Sequence, residues 1–134
     1  MQFTELGGNL AFEFFVPGVA AGTAVEWPQF VMPWNATIAS LTWVPGAAVT
    51  ANGTNFATIS VRNRGAAGSG TVVPATRSYA ATNSSAQVAE TLTLSAAATD
   101  LQPTAGDVLT ISVAHSGSGL LIPAGLVQVA LRLR

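Results

Sequence analysis

The sequence has 134 residues, of which 49% are hydrophobic and only 8% are charged, and it contains no lysine and no cysteine. An ordinary soluble domain carries about 25% charged residues, so this chain is uncommonly apolar for a single domain of its length. The net charge of −1 and the lack of lysine argue against a nucleic-acid or anionic-membrane binder that works through a basic field. The lack of cysteine excludes disulfides, thiolate metal sites and cysteine nucleophiles.

Residues 1–35 are an aromatic N-terminal segment, which holds five of the six phenylalanines, two of the three tryptophans and no arginine. Between Phe12 and Val16, aromatic side chains occupy both even-numbered and odd-numbered positions. Because alternate residues of a strand face opposite sides of the sheet, a half-buried strand here leaves at least one phenylalanine exposed. Two interpretations remain open: the segment supplies the first strands of the domain, or it forms an arm or edge that docks on a neighbouring subunit. No signal peptide is expected, because Glu5 takes the place of a positive charge and Glu13 interrupts the apolar run.

Period-two alternation of apolar and polar residues predicts β-strands along the rest of the chain. The pattern is clearest after Leu126, and β-branched or aromatic residues mark the segments that alternate less well. Pro74 indicates an edge or a bulge in its strand, and a short helical turn competes at 95–98. Strands are predicted at 37–44, 56–62, 71–79, 87–94, 107–115 and 126–134.

Glycine, proline and asparagine mark turns between these segments. Strands that follow one another at spacings of about 10 to 18 residues indicate an antiparallel sandwich or barrel rather than βαβ units. Seven or eight strands fit a jelly roll or an immunoglobulin-like sandwich. We therefore expect one all-β domain, a jelly-roll-like antiparallel β-sandwich of about eight strands, with residues 1–35 in the same domain as the body at 36–134.

No group of residues in the sequence predicts catalysis, a cofactor or a metal site. His115 is the only histidine, which excludes a multi-histidine metal site, and no Gly-x-Ser-x-Gly elbow supports a serine nucleophile. The glycine-rich stretch 65–71 lacks the lysine of a phosphate-binding loop and is expected to be a hairpin tip. Glu90 falls on the apolar parity of its strand, so we expect it to pair with Arg62 or Arg77, or to lie at an interface.

Four short sequence motifs stand out between Ala36 and Arg134. They are Thr42-Trp43-Val44-Pro45, the stretch 61–71 (VRNRGAAGSGT), the stretch 101–109 (LQPTAGDVL), and the glycines at 117–119 that lead into 123–127 (PAGLV). In these motifs the chain resembles the small β-sandwich head-decoration (capsid cement) proteins of tailed bacteriophages, particularly those of actinobacterial hosts. Arginine without lysine, together with abundant alanine and glycine, also suits the GC-rich genome of such a phage.

The resemblance implies a structural virion protein that is made in the host cytoplasm and added to the outside of an assembled head. Such proteins commonly form homotrimers and stabilise the shell by bridging capsomers of the major capsid protein. An enzyme, a cofactor, a nucleic-acid partner and a membrane partner are not expected. The alternative is a receptor- or carbohydrate-binding β-sandwich module of a phage tail or fibre, in which Trp27, Trp34 and Trp43 would stack on sugars.

Contacts with neighbouring subunits are expected to use aromatic residues of the N-terminal segment, because aromatic side chains dominate interface hot spots. Two C-terminal arginines share one strand face in the predicted pattern, where their guanidinium groups are placed to clamp a carboxylate. The candidate interface residues are Phe12, Phe14, Phe15, Trp27, Trp34, Arg132 and Arg134.

Overall fold

The computed structural model describes residues 9–134, which form two antiparallel β-sheets. The first sheet has the strand order β1-β9-β3-β6 and the second has the order β2-β8-β4-β5-β7. One short 3-10 turn at Ala98–Leu101 is close to the helical turn expected at 95–98. The strands are β1 (Leu10–Val16), β2 (Val25–Val31), β3 (Ala36–Pro45), β4 (Ala57–Asn63), β5 (Val72–Ser78), β6 (Glu90–Thr91), β7 (Thr93–Leu94), β8 (Val108–His115) and β9 (Gly125–Leu133).

The strand pairing is that of a jelly roll. The first strand pairs with the last, the second with the next to last, β3 with β6, and β4 with β5. When the two-residue strands β6 and β7 are taken as halves of one strand, the nine strands become the eight of a jelly roll. The predicted fold class, an antiparallel β-sandwich, is confirmed.

The core lies between the two sheets and is built from the inward parity of each strand. Leu109, Ile111 and Val113 of β8 are buried, and Trp43 and Tyr79 are the two largest side chains that are fully buried. The alternation of apolar and polar residues therefore becomes one buried face per sheet. Removing this apolar surface from water is the main force that holds the two sheets together.

The strand predicted at 87–94 is shorter than expected and is divided between the sheets. Glu90–Thr91 pairs with β3, and Thr93–Leu94 pairs with β5. The side chain of Leu92 between them is buried, whereas Val88 is 52% exposed. The prediction is wrong for 87–89, because Gln87 has a positive φ of 64° and belongs to a turn. This crossing from one sheet to the other closes one side of the sandwich.

Pro74 lies at a β-bulge in β5, as its position in the sequence predicted. Val61 of β4 is opposite Ala75, whereas Asn63 is opposite Val72, so β5 has one residue more than β4 across this step. Because proline has no backbone N–H to donate to a neighbouring strand, it is tolerated in a sheet at such an irregularity.

The aromatic N-terminal segment supplies the first strands of the sandwich. β1 is an edge of the first sheet beside β9, and β2 is an edge of the second sheet beside β8. The connection between β1 and β2 therefore crosses from one sheet to the other on the side opposite to β6 and β7. Residues 1–8 lie outside the described part of the chain, and Phe3 and Glu5 with them.

Candidate functional site

An apolar row crosses the outer face of the first sheet. Phe15 of β1 is 67% exposed, and it is opposite Leu126 of β9, which is in turn opposite Val44 of β3. Leu126 and Val44 are half-buried. We call these three residues the Phe15 row. Adjacent apolar side chains at the surface of a sheet mark a contact site more strongly than scattered ones do.

Phe15 points outward because the strand alternates on both sides of it. Phe14 and Val16, its neighbours in β1, face the core, and Val16 is fully buried. The sequence-based expectation that a strand in 12–16 leaves at least one phenylalanine exposed is therefore met by Phe15. Val44 and Leu126 also point outward, because their chain neighbours Trp43 and Val127 point into the core and have no exposed surface.

Phe12 and Phe14, by contrast, lie between the sheets. Their rings are 4.7 and 5.7 Å from the ring of Phe30 in β2, with tilted planes. This geometry is favourable for aromatic pairs, and it joins an edge strand of one sheet to an edge strand of the other. All three rings are only half-buried, because they lie at the open side of the sandwich.

The three tryptophans do not form a single platform. Trp43 is fully buried in the core, and its indole N–H donates to the hydroxyl of Tyr79 at 2.9 Å. Trp27 is half-buried, pairs with Ile111 of β8 and packs against the core. Trp34 is half-buried in the turn between β2 and β3. A sugar-stacking surface made of all three residues is therefore not present.

The two C-terminal arginines have different surroundings. Arg134 donates from Nε to the carbonyl of Ala36 at 3.3 Å and from its terminal nitrogen to the carbonyl of Gln102 at 3.3 Å. Arg132 is exposed on the outer face of the first sheet opposite Thr37. It forms no ion pair with another residue in 9–134. Arg132 is thus the one of the two that is available to an external carboxylate.

Arg77 and Glu90 form an ion pair, with 2.6 Å between Nε and Oε2, which is one of the arrangements that the sequence left open for Glu90. Arg77 also donates to the hydroxyl of Thr82 at 3.0 Å and lies over the ring of Tyr79, 4.2 Å from its centroid. Arg77, Glu90 and Thr82 line an open groove of about 460 Å³ together with other threonine and serine side chains. Because Arg77 and Glu90 already neutralise each other, we interpret their contact as structural and not as a ligand site.

A second ionic cluster covers the outer face of the second sheet. Glu26 of β2 accepts hydrogen bonds from Arg64 Nε at 2.6 Å and from the hydroxyl of Thr110 at 2.5 Å. Arg62 lies 3.6 Å from the same carboxylate. The hydrogen bond from Arg64 is the largest cause that lowers the pKa of Glu26 from 4.5 to about 2. The paired charges tie β2 to β4 and to the residue that follows it, and the Thr110 hydroxyl ties β2 to β8.

His115 has a structural position at the end of β8. Its Nε2 is 3.0 Å from the carbonyl of Thr23, and its Nδ1 accepts from the backbone N–H of Leu120 at 3.4 Å. The imidazole therefore links two loops, and within residues 9–134 it has no carboxylate or hydroxyl partner suited to catalysis. Within residues 9–134, no group of three or more histidine or acidic side chains is arranged to hold a metal ion.

Asp107 has a structural role in the turn before β8. Its carboxylate accepts from the backbone N–H of Thr104 at 2.9 Å and from the side-chain amide of Asn63 at 2.8 Å. It thereby closes the turn that leads into β8.

Sequence reasoning identified Phe15 but missed Leu126 and Val44. Both are apolar residues at positions where the alternation of their strands places polar ones, and this exception was visible in the sequence. Only the pairing of β1 with β9 and of β9 with β3 brings the three side chains into one row.

No family model, no curated protein and no solved structure matches this chain. No helix in the described part of the chain is long and apolar enough to span a membrane. Function is therefore inferred from the residues and from the surface that they form.

Proposed function

We propose that this protein is a structural virion protein that binds the outside of an assembled phage capsid and stabilises it by bridging capsomers. The observation that carries the proposal is the Phe15 row on the outer face of the first sheet. An aromatic ring that is 67% exposed, next to two aliphatic side chains, is a suitable anchor for a protein surface. The partner is the major capsid protein, and the place of action is the capsid exterior.

Three further features support a binding role over catalysis. Half of the charged side chains of the described part are paired with one another, in the Arg77–Glu90 pair and the cluster of Arg62, Arg64 and Glu26. His115 is engaged by two backbone groups. The carbohydrate-binding alternative loses one member of its aromatic platform, because Trp43 belongs to the core.

The proposed mechanism is mass action. A protein that binds the assembled shell, but not separate capsomers, stabilises the shell by RT ln(1 + [L]/Kd) at each site. Contacts made by the Phe15 row would remove apolar surface from water and need little charge, which agrees with a chain in which 8% of residues are charged. Arg132, at the other end of the same face, supplies one cation for a carboxylate of the shell.

The test is sedimentation of the purified protein with empty capsids of the phage that carries the gene. We expect the wild-type protein to pellet with the capsids, and we expect Phe15→Ser to weaken binding by about thirtyfold, as for a hot spot of about 2 kcal/mol. Val31→Ser is the matched control, because Val31 is 61% exposed but lies in the second sheet. Equal binding by Phe15→Ser, or a wild-type protein that stays in the supernatant, would contradict the proposal.

A further inference from the structure

The four edge strands of the two sheets are not equally protected against pairing with another strand. β6 and β7 have two residues each, and β2 contains Pro28 followed by an irregularity before Phe30. Short edges, proline and bulges are among the devices by which proteins block strand addition. β1, in contrast, has seven residues in unbroken register with β9 and contains no proline. Among the described strands it is therefore the one long edge without such protection.

The direction of the β1 backbone groups follows from the hydrogen bonds of β9. The N–H of Gly46 donates to the carbonyl of Ala124 at 2.8 Å, so the even-numbered residues of β9 direct their backbone groups to β3. The odd-numbered residues of β9 face β1, and they pair with even-numbered residues of β1. The N–H and C=O groups of Ala11, Glu13 and Phe15 consequently point to the open edge.

Incompletely covered aromatic rings line the same side of the sandwich. Phe12 and Phe14 of β1 and Phe30 of β2 pack on one another, yet each is only half-buried. A strand added beside β1 would supply hydrogen-bond partners for the open edge and cover part of these rings. Both the unpaired backbone groups and the half-buried rings therefore favour a further strand beside β1.

We propose that the β1 edge pairs with the β1 edge of a second copy of this chain, antiparallel and about a two-fold axis at Phe12. This register sets residues 9–15 opposite residues 15–9 of the second copy and directs the backbone groups of Ala11 and Glu13 toward each other. Glu13 is the only charged residue of β1, and the register sets it opposite Ala11 of the second copy. A register centred on Glu13 would instead place two like charges opposite each other, which is unfavourable.

A second copy fits this edge because a two-fold contact is self-complementary. Each copy offers the same alternation of free N–H and C=O groups and the same half-buried rings, so the contact needs no other component. The pairing joins two four-stranded sheets into one sheet of eight strands. It also leaves both Phe15 rows on the same outer surface. The contact does not depend on the proposed function, and it gives dimers where the sequence resemblance implies trimers.

The first experiment measures the molar mass of the full-length protein by size-exclusion chromatography with light scattering over a dilution series. We expect a dimer that dissociates on dilution. Ala11→Lys and Ala11→Glu form a matched pair, because residue 11 is exposed and lies opposite Glu13 of the second copy in the proposed register. Ala11→Lys should lower the dimer dissociation constant by about fivefold and Ala11→Glu should raise it by a similar factor, since each dimer contains two such cross-strand pairs.

Ala11→Pro tests the backbone contact. It removes one N–H that points to the open edge while the hydrogen bonds between β1 and β9 remain, and it should abolish dimerisation with an unchanged circular dichroism spectrum. If Ala11→Pro does not fold, the Lys and Glu variants still decide the question. A wild-type monomer, a trimer, or equal dissociation constants for the Lys and Glu variants would each overturn the proposed pairing.

Discussion

Trp43 and Tyr79 are joined inside the core by a hydrogen bond of 2.9 Å, in which the indole N–H donates to the phenol oxygen. Trp43 belongs to β3 of the first sheet, and Tyr79 directly follows β5 of the second sheet. The hydroxyl of Ser84 donates to the same phenol oxygen at 2.8 Å. Both aromatic side chains are fully buried, so a polar contact links the two sheets inside the core.

Tyr79→Phe is expected to lower the free energy of unfolding by about 1–3 kcal/mol, because it leaves the buried indole N–H without an acceptor. Urea denaturation followed by tryptophan fluorescence measures the change. Ser84→Ala is the control, since it removes one donor and leaves the Trp43–Tyr79 bond in place, and its effect should be smaller. Equal stability of Tyr79→Phe and the wild type would show that the bond contributes nothing net.

Phe14→Ser and Phe15→Ser should separate stability from attachment. Phe14 packs against Phe30 and the core, so its replacement is expected to lower the free energy of unfolding by about 2–4 kcal/mol. Phe15 faces outward, and its replacement should change stability by about 0.5 kcal/mol or less. Thermal unfolding of both variants tests this. A large loss of stability in Phe15→Ser would mean that Phe15 is a core residue.

The Glu26 cluster predicts a stability change in acid. Because the pKa of Glu26 is about 2 in the folded protein, below the 4.5 of the free side chain, its ionised form stabilises the fold above about pH 4.5. This contribution is lost as the pH falls from 4.5 toward 2. With a quarter of the side chain exposed, solvent screening limits the effect to about 1–2 kcal/mol.

Glu26→Gln isolates this contribution. The variant should be less stable than the wild type at pH 7, and the difference should shrink as the pH is lowered to 2, measured by urea denaturation at each pH. Arg64→Met removes the main partner and should flatten the pH dependence in the same window. A constant difference between Glu26→Gln and the wild type at all pH values would refute the role of the charge.

Salt should have little effect on attachment to capsids. The Debye length falls from about 10 Å at 0.1 M salt to about 3 Å at 1 M, which weakens ionic contacts but not apolar ones. We expect decorated particles pelleted from 0.1 M and 1 M NaCl to retain the protein equally. If 1 M NaCl strips the protein, the contact is ionic. Arg132→Ala should then reproduce the loss, while Arg134→Ala, whose guanidinium is held by two carbonyls, should not.

Gly125 marks a close approach between β9 and β3. A Cβ added there would overlap the ring of Trp43 and the carbonyl of Val44, so Gly125→Ala is expected to lower the free energy of unfolding by about 1–3 kcal/mol. Gly53→Ala is the matched control, because its nearest neighbour would be at an ordinary contact distance of 3.8 Å. Thermal unfolding of the two variants gives the comparison, and equal melting temperatures would show that β3 moves aside without cost.

The alternation of side chains in β8 and β9 was sufficient to predict both strands and the β-sandwich class, since a period of two describes a sheet with one buried face. The sequence also indicated that Glu90 pairs with an arginine or lies at an interface, because a carboxylate at an apolar position needs a compensating charge, and the structure shows the pair with Arg77. Local pattern failed at 87–89, where the backbone of Gln87 adopts a positive φ. There the chain turns in order to cross between the sheets.

The positions of the phenylalanines in 12–16 required that at least one of them be exposed if this stretch is a strand, but they did not identify its neighbours on the adjacent strands. Phe15, Leu126 and Val44 are distant in sequence, and only the registers of β1 with β9 and of β9 with β3 align them. Strand register is set by long-range packing of the inward faces, and a shift of one residue would turn Phe15 into the core and Phe14 outward. The presence of an exposed aromatic was thus determined by the sequence, whereas its place in an apolar row and beside an open edge was decided by the tertiary structure.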